Sequence, residues 1–374
     1  MRNPRTPVDP VLLITFAFLI ILGSVMVFSA SSILAANRYG SPFHFLLRHF
    51  FFLGLGLTLA YLAGKIKTEF WRKSWFILYL GTILALALTL MMGKTIGGAR
   101  RWLKIGPLGF QFSELAKLVL VIALARYLDR YHSQIWRWKW ALVYPLLLFV
   151  PMVALIVVEP DFGNPTVIML AYLSLLLTAQ IPWRYLAFYP AAALPVMAYL
   201  IIHSPYRMAR LMGFFSVWGQ GAAAAHREGA AYQLSQALLA LGSGGLLGKG
   251  LGDSDLKLHY LPQPHTDFIF PIIGEELGLV GSLVLVVLFS LVAIRGLRAA
   301  IGAERLFDRL LAVGITFSLT FQAAIHMAVT TALAPTKGIT LPFISYGGSS
   351  LLISCLMAGI LLRISRTKGT FQTN

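Results

Sequence analysis

Apolar runs of bilayer length constrain this chain more than any other feature. They fall near 11–35, 44–64, 74–92, 111–128, 139–158, 163–180, 183–203, 267–294, 308–333 and 343–363. A hydrocarbon core about 30 Å thick takes roughly 20 helical residues to cross, and lipid offers no partner to an open backbone N–H or C=O. Such runs therefore become helices. The expected fold is an all-α polytopic membrane protein of about ten transmembrane helices, and residues 1–374 read as a single integral-membrane domain. The first run is too long for the apolar segment of a signal peptide and many more follow, so it reads as a first transmembrane helix. Neither a fixed-period repeat nor a low-complexity tract interrupts the pattern.

Charge placement orients the spans. The net charge of +17 would suggest nucleic acid in a soluble protein, but here the basic residues sit mostly in short gaps between apolar runs. That pattern fits topology signals and anionic headgroups, with no nucleic-acid partner. Lys65, Lys67, Arg72 and Lys73, then Arg126, Arg130, Arg137 and Lys139, then Arg295, Arg298, Arg305 and Arg309, and finally Arg363, Arg366 and Lys368 mark one side. The positive-inside rule assigns that side, with both termini, to the cytoplasm. The opposite gaps include the one long connection, 204–266, between the seventh and eighth spans. They nevertheless carry Lys94, Arg100, Arg101, Lys104, Arg207, Arg210, Lys249, Lys257 and Lys337. An outer face this basic is expected to meet something anionic. The single cysteine, Cys355, lies inside an apolar run and excludes an intramolecular disulfide or a thiolate metal cluster.

One segment joins polar chemistry to a membrane span. In LHYLPQPHTDFIFPIIGEELGLVG, Leu258 to Gly281, a proline-framed polar stretch carrying Asp267 runs directly into an apolar run. An ionisable group at the mouth of a membrane helix points to function. Glu275 and Glu276 follow, offset from Asp267 by roughly 80° and roughly 180° around a straight helix. At most Glu275 can share its face, and Pro271 is a place where the helix can bend. Upstream, LGSGGLLGKGLG (Leu241 to Gly252) and Gly219 to Ala225 are glycine-rich or alanine-rich, able to bend around a ligand or simply to turn.

Blocks along nearly the whole chain resemble the FtsW/RodA family, the SEDS peptidoglycan glycosyltransferases. They are VMVFSAS (Val25 to Ser31), GARRWL (Gly98 to Leu103), FSELAKL (Phe112 to Leu118), EPDFG (Glu159 to Gly163), GSGGLLGKGLG (Gly242 to Gly252), YLPQPHTDFIF (Tyr260 to Phe270), GEELG (Gly274 to Gly278) and PTKGITLPFISYGGSS (Pro335 to Ser350). VMVFSAS and the last block are nearer to the FtsW branch than to the RodA branch. Phe112 stands where proline is usual, His326 and Ala328 replace the usual Asn and Gly, and Ala237 replaces a common serine. These departures bear on local helix packing, and His326 also on a polar cavity.

The resemblance implies polymerisation of lipid II into glycan strands, with undecaprenyl pyrophosphate released, in the bacterial inner membrane and at the division septum. It also implies a class B penicillin-binding protein as transpeptidase partner, beside other divisome or elongasome membrane proteins. Asp267 matches the family's aspartate and is expected to be the general base, a role compatible with capping the following helix. Arg101 and Trp102 match a family pair. Arg101 suits phosphate, and Trp102 suits a sugar face or an interfacial anchor. Glu114 and Lys117 share one helix face, as a substrate contact or as a structural pair. Arg207, Arg210, Lys249 and Lys337 are candidates for phosphate or headgroup contact, or solvated charges. His265 is expected to orient Asp267 or to touch sugar. His259, His265 and His326 match no metal-ligand spacing, so no protein metal site is expected, while a divalent cation such as Mg2+ or Mn2+ travelling with the pyrophosphate is compatible with the chemistry. One base without a partner carboxylate nucleophile predicts inversion at the donor sugar.

Three other classes use some of the same residues. A lipid II flippase needs the groove and the cations but not a base. A scaffold for cell-wall synthases leaves the outer cations idle, and an ion channel or proton-coupled transporter would need a broken helix with charge at its break, which the apolar runs do not announce.

Overall fold

The computed structural model describes residues 8–96, 99–105, 108–159, 161, 163–220, 229–255 and 265–366. Lys257, His259, Lys368, the 221–225 stretch and the start of the YLPQPHTDFIF block lie outside them, as do the side chains of Lys94 and Lys104.

Helices α1 (Pro10–Tyr39), α2 (His44–Lys65) and α3 (Thr68–Met92) lead into a small antiparallel meander of β1 (Lys94–Ile96), β2 (Ala99–Ile105) and β3 (Leu108–Phe110). Then come α4 (Phe112–Tyr131), α5 (Tyr144–Val158), α6 (Gly163–Thr178), α7 (Trp183–Leu186), α8 (Phe188–Ile202), α9 (Pro205–Gln220), α10 (Ala230–Ser243), α11 (Ile269–Ile301), α12 (Leu306–Thr330) and α13 (Gly348–Ile364). The helical membrane fold expected from the apolar runs is present. Seven described helices, or end-to-end helix pairs, are long and apolar enough to span a bilayer, and α6 and α13 are shorter apolar helices.

α4 falls outside that apolar set because it carries Glu114, Lys117, Arg126, Asp129 and Arg130, yet it is the central helix of the bundle. Nearly every residue from Ser113 to Ala125 is buried, against α3, α5, α6, α12 and α13. A helix buried all round loses the amphipathic contrast of a lipid-facing one. α8 is the opposite case, with Leu194, Val196, Tyr199 and Ile202 exposed as a lipid-facing side would be.

The ends of the helices carrying the basic gaps are stitched by ion pairs. Asp9 caps α1, accepting from Val11 N at 3.0 Å and Leu12 N at 3.1 Å, and its other oxygen pairs with Arg295. Glu69 pairs with Arg72 at 3.0 Å and Arg305 at 3.3 Å, and Asp129 with Arg72 at 3.3 Å and Arg126 at 3.2 Å.

Two features depart from the expected plan. The GARRWL stretch is a β-ribbon and not a bare loop: Lys94 pairs with Trp102 and Leu103 with Phe110, with an irregularity between Lys94 and Thr95. Alternation along β2 sends Arg101 and Arg100 to opposite faces. The second departure is in the 204–266 connection, which holds α9 and α10. After α10 its glycine-rich turn is spliced into a break in α11, where Gly278 has φ 68° and ψ −164°. Lys249 N and Gly250 N donate to the carbonyls of Glu275 and Glu276 at 2.9 and 3.1 Å, while Leu279 N and Val280 N donate to Gly245 O and Leu246 O at 2.9 and 3.2 Å. Groups freed by the break are thus satisfied by the inserted loop, the condition for irregular backbone within a membrane protein. The glycine cluster bends around α11, and a broken helix is present where none was expected. The break lies at Gly278, beyond Pro271.

Candidate active site

Asp267 stands on the turn immediately before α11. The turn is fixed from two sides. Ser345 Oγ donates to Thr266 O at 2.7 Å, and Tyr346 N donates to His265 O at 3.0 Å. The buried His265 ring packs between Phe45, with centroids 4.7 Å apart, and Tyr346, at 5.4 Å. His265 therefore anchors the turn through packing, and burial lowers its pKa to about 4, so the ring is neutral.

A strap without regular structure, 335–341, passes directly over the Asp267 carboxylate. A Cβ added at Gly338 would lie 3.0 Å from Asp267 Oδ2, so glycine is what permits the close approach. Thr336, next but one along the strap, accepts from Arg210 Nη1 at 3.2 Å, and the Arg210 guanidinium rests 4.6 Å from the Tyr206 ring centroid. Lys337 Nζ donates to Thr166 Oγ1 on α6 at 2.9 Å. Burial lowers the Lys337 pKa, and the charge of Asp161 opposes that shift.

From the opposite side, β2 brings in Arg101, whose Nε donates to the Glu159 carbonyl at 3.0 Å. Half-buried Trp102 packs near Gly109 on β3. Asp161 accepts from Gly163 N (3.0 Å), Asn164 N (3.2 Å), Asn164 Nδ2 (2.9 Å), Gln111 Nε2 (3.3 Å) and Ser113 Oγ (3.4 Å), so it both opens α6 and ties it to α4. Glu159, at the end of α5, is buried, and neither carboxyl oxygen is hydrogen-bonded among the described residues. Its burial, aided by the charge of Asp161 and opposed by that of Arg101, raises its pKa to about 8.

Asp267 feels the same charges. Burial pushes its pKa up to about 6, while Arg210, Arg101 and a hydrogen bond from Thr266 hold it down and Asp161 adds to the rise. A carboxylate of that basicity is ionised at neutral pH and a better proton acceptor than an ordinary one. Arg101 and Arg210 lie within its electrostatic reach, and Lys337 is next to Gly338 on the strap.

The other expected residues lie elsewhere. Lys249 bonds Asp255 at 2.8 Å and Glu275 at 2.7 Å, and Glu275 also accepts from Ser254 Oγ, Ser243 Oγ and Asp255 N. Lys249 and Glu275 thereby lock the glycine turn to α11. Glu276 points to a different neighbour, Ser29 of the VMVFSAS block, at 2.6 Å. Arg207 donates to Leu200 O at the end of α8 at 2.8 Å. Glu114 and Lys117 form a buried pair at 2.8 Å, and Lys117 also reaches Gln322 Oε1 at 2.5 Å. His326 Nδ1 meets Ile339 O at 2.6 Å.

Among the described residues no three His, Cys, Asp or Glu side chains come together at metal-ligand spacing. Glu159 and Asp161 belong to the EPDFG block, but nothing local in the sequence marks either for a role, because nothing local says that this block faces Asp267.

A helical membrane bundle with a basic carboxylate, a pair of arginines and a strap lysine gathered at the mouth of one helix defines a polytopic membrane protein with a cationic site around a carboxylate. The family model described as "Cell cycle protein", for FtsW, RodA and SpoVE, matches residues 10–370. The chain belongs to that family. It is 42% identical over 355 residues to the probable peptidoglycan glycosyltransferase FtsW of Coxiella burnetii, covering 93% of each chain. It is 40% identical to the protein of the same name from Legionella pneumophila, covering 92% of this chain and 88% of that one. Among solved structures, a chain from work reported as "Structural coordination of polymerization and crosslinking by a peptidoglycan synthase complex" matches with a TM-score of 0.76 at 30% identity, covering 96% of this chain and 98% of that chain. The rod shape determining protein RodA of Thermus thermophilus matches with a TM-score of 0.69 at 32% identity, over 96% and 97% of the two chains.

Proposed function

We propose that the chain is a peptidoglycan glycosyltransferase of the FtsW type that polymerises lipid II, with Asp267 as general base. The observation that carries the assignment of the base is the carboxylate itself, raised to about 6 and facing Arg101 and Arg210 at the mouth of α11. Asp267 takes the proton from the attacking sugar hydroxyl. A bond forms from that oxygen to the donor's anomeric carbon, the bond from that carbon to the pyrophosphate oxygen breaks, and undecaprenyl pyrophosphate departs. Attack opposite the leaving group inverts the donor sugar, and no covalent sugar–enzyme intermediate is needed. Arg101, Arg210 and Lys337 offset the charge that develops on the pyrophosphate, and Trp102 stands beside Arg101 to meet a sugar face.

The ion-paired end lies in the cytoplasm beneath an inner membrane and Asp267 on the outer side, a reading that the basic gaps support. The FtsW-named relatives support a place at the division septum. A neighbour whose structure joins polymerisation to crosslinking supports a transpeptidase of the class B penicillin-binding type as partner.

The test is polymerisation of labelled lipid II by the purified protein, with and without such a partner, beside Asp267→Asn. Glycan ladders from the parent and none from the folded variant are expected. Ladders from both would remove Asp267 as base, and translocation of lipid II in liposomes without ladders would replace the transferase with a flippase.

A further inference from the structure

The 335–341 strap has no ladder of its own, so its buried carbonyls must be met by other elements. α12 meets them. Gln322 Nε2 donates to Thr340 O at 2.9 Å and to Thr340 Oγ1 at 3.2 Å, and one turn further His326 Nδ1 meets Ile339 O at 2.6 Å. Residues four apart share a helix face, so both grips come from the same side. On the far side, Thr340 Oγ1 touches Ser350 Oγ of α13 at 2.8 Å.

Gln322 is held from behind. Its Oε1 accepts from Lys117 Nζ at 2.5 Å, and Lys117 is balanced by Glu114 at 2.8 Å, all three side chains being buried. An ammonium can only donate, so it fixes which end of the Gln322 amide faces α4. The NH2 end is then left facing the strap. A buried ion pair is weak evidence of net stability. This one has a different use: it orients an amide.

We propose that Glu114, Lys117 and Gln322 form a strut from α4 through α12 that sets the position of the strap, with His326 as a second hold, and so governs how closely Gly338 covers Asp267 and where Lys337 stands. They are positioning residues. The proposal rests on Asp267 being the base, because its consequence is read there. With the strut intact, the strap limits the water that reaches the half-buried Asp267 carboxylate; with it loosened, more water reaches it and the carboxyl loses part of the burial that raises its proton affinity.

The experiment uses full-length Gln322→Met, which keeps bulk and removes both grips, and Gln322→Glu, which can still accept from Lys117 but cannot donate to Thr340. Both are compared with the parent, Asp267→Asn, His326→Asn and His326→Phe in lipid II polymerisation across pH, and in hydrogen exchange of 335–346. Both Gln322 variants are expected to lower kcat about ten-fold or more with a smaller change in KM, to move the acid limb of activity from about 6 toward the ordinary aspartate value of 3.8, and to raise exchange in the strap alone. His326→Asn, which keeps an N–H donor, is expected to hold the parent profile, and His326→Phe to lose it. An unchanged acid limb and unchanged strap exchange in a folded Gln322 variant overturn the strut, as does exchange rising equally throughout the protein. Should Gln322→Met fail to fold, Gln322→Glu decides. Activity surviving in Asp267→Asn defeats the base assignment instead, and strap exchange then judges the strut by itself.

Discussion

Asp267 and Glu159 are both acids raised by burial, and they differ in what surrounds them. Asp267 faces Arg101 and Arg210, which hold its pKa to about 6, so it is a base at neutral pH. The Glu159 carboxyl has no hydrogen-bond partner among the described residues, and its pKa of about 8 leaves it mostly protonated under the same conditions. Activity is therefore expected to fall as pH drops through about 6, and Asp267→Asn to lose on the order of 10²- to 10⁴-fold in turnover, the usual worth of a positioned base. A pH series of lipid II polymerisation checks both. Glu159 gives a stability prediction instead. Its folded pKa lies above the ordinary 4.5, so the folded state holds the proton more tightly. Its contribution is fully present below about 4.5 and is lost as pH rises to about 8. Glu159→Gln lacks this titration. Thermal unfolding in detergent should show the variant gaining on the parent steadily between those limits, and parallel curves would exclude the shift.

At the scale of elements, much was legible where structure is written locally and little where it depends on distant backbone. The spans followed from apolar run length, and Asp267 stood out because a carboxyl at a span's mouth is costly without a use. The break in α11 was invisible, since GEELGLVG continues an apolar run and only Gly278's docking partners, Gly245 to Gly250, make the break affordable. The β-ribbon was hidden because its strands are short, and it decides that Arg101 and not its neighbour Arg100 turns to Glu159. Glu114 and Lys117 were found by their spacing, but Gln322 lies about two hundred residues away and nothing adjacent marks it. The α11 break carries its own prediction. A Cβ at Gly278 would sit 2.4 Å from Gly248 N and Leu246 O, on backbone with φ 68°. Gly278→Ala should cost roughly 1–3 kcal/mol in backbone strain alone, and expel the glycine turn as well. The measurable result is a lower unfolding temperature together with raised hydrogen exchange at Lys249 and Gly250, whose amides are held by the broken helix. A variant with unchanged exchange there would mean that the turn is held by the Lys249–Glu275 pair and not by the backbone splice.

For the whole molecule, the two ends use charge in opposite ways. At the end bearing the basic gaps, arginines are consumed by acids: Asp9 with Arg295, Glu69 with Arg72 and Arg305, and Asp129 with Arg72 and Arg126. At the Asp267 end Lys249 is likewise paired, with Asp255 and Glu275, but Arg210 donates to a backbone carbonyl and Lys337 to a hydroxyl, neutral groups that cancel no positive charge. A field of that kind attracts an anion without closing the site with an ion pair that substrate would have to break. The arrangement works only if the two ends face opposite sides of one membrane, with the cation-rich end outward. Single cysteines test this in a Cys355→Ser background, since Cys355 is buried. Trp136→Cys replaces an exposed residue in the gap after α4, and Arg100→Cys replaces an exposed residue of the β-ribbon. A membrane-impermeant thiol reagent added to intact spheroplasts should label position 100 and leave position 136 unlabelled until the membrane is opened. The reverse pattern would put Asp267 in the cytoplasm, where glycan strands are not built into a wall, and would overturn the proposed function at its largest scale.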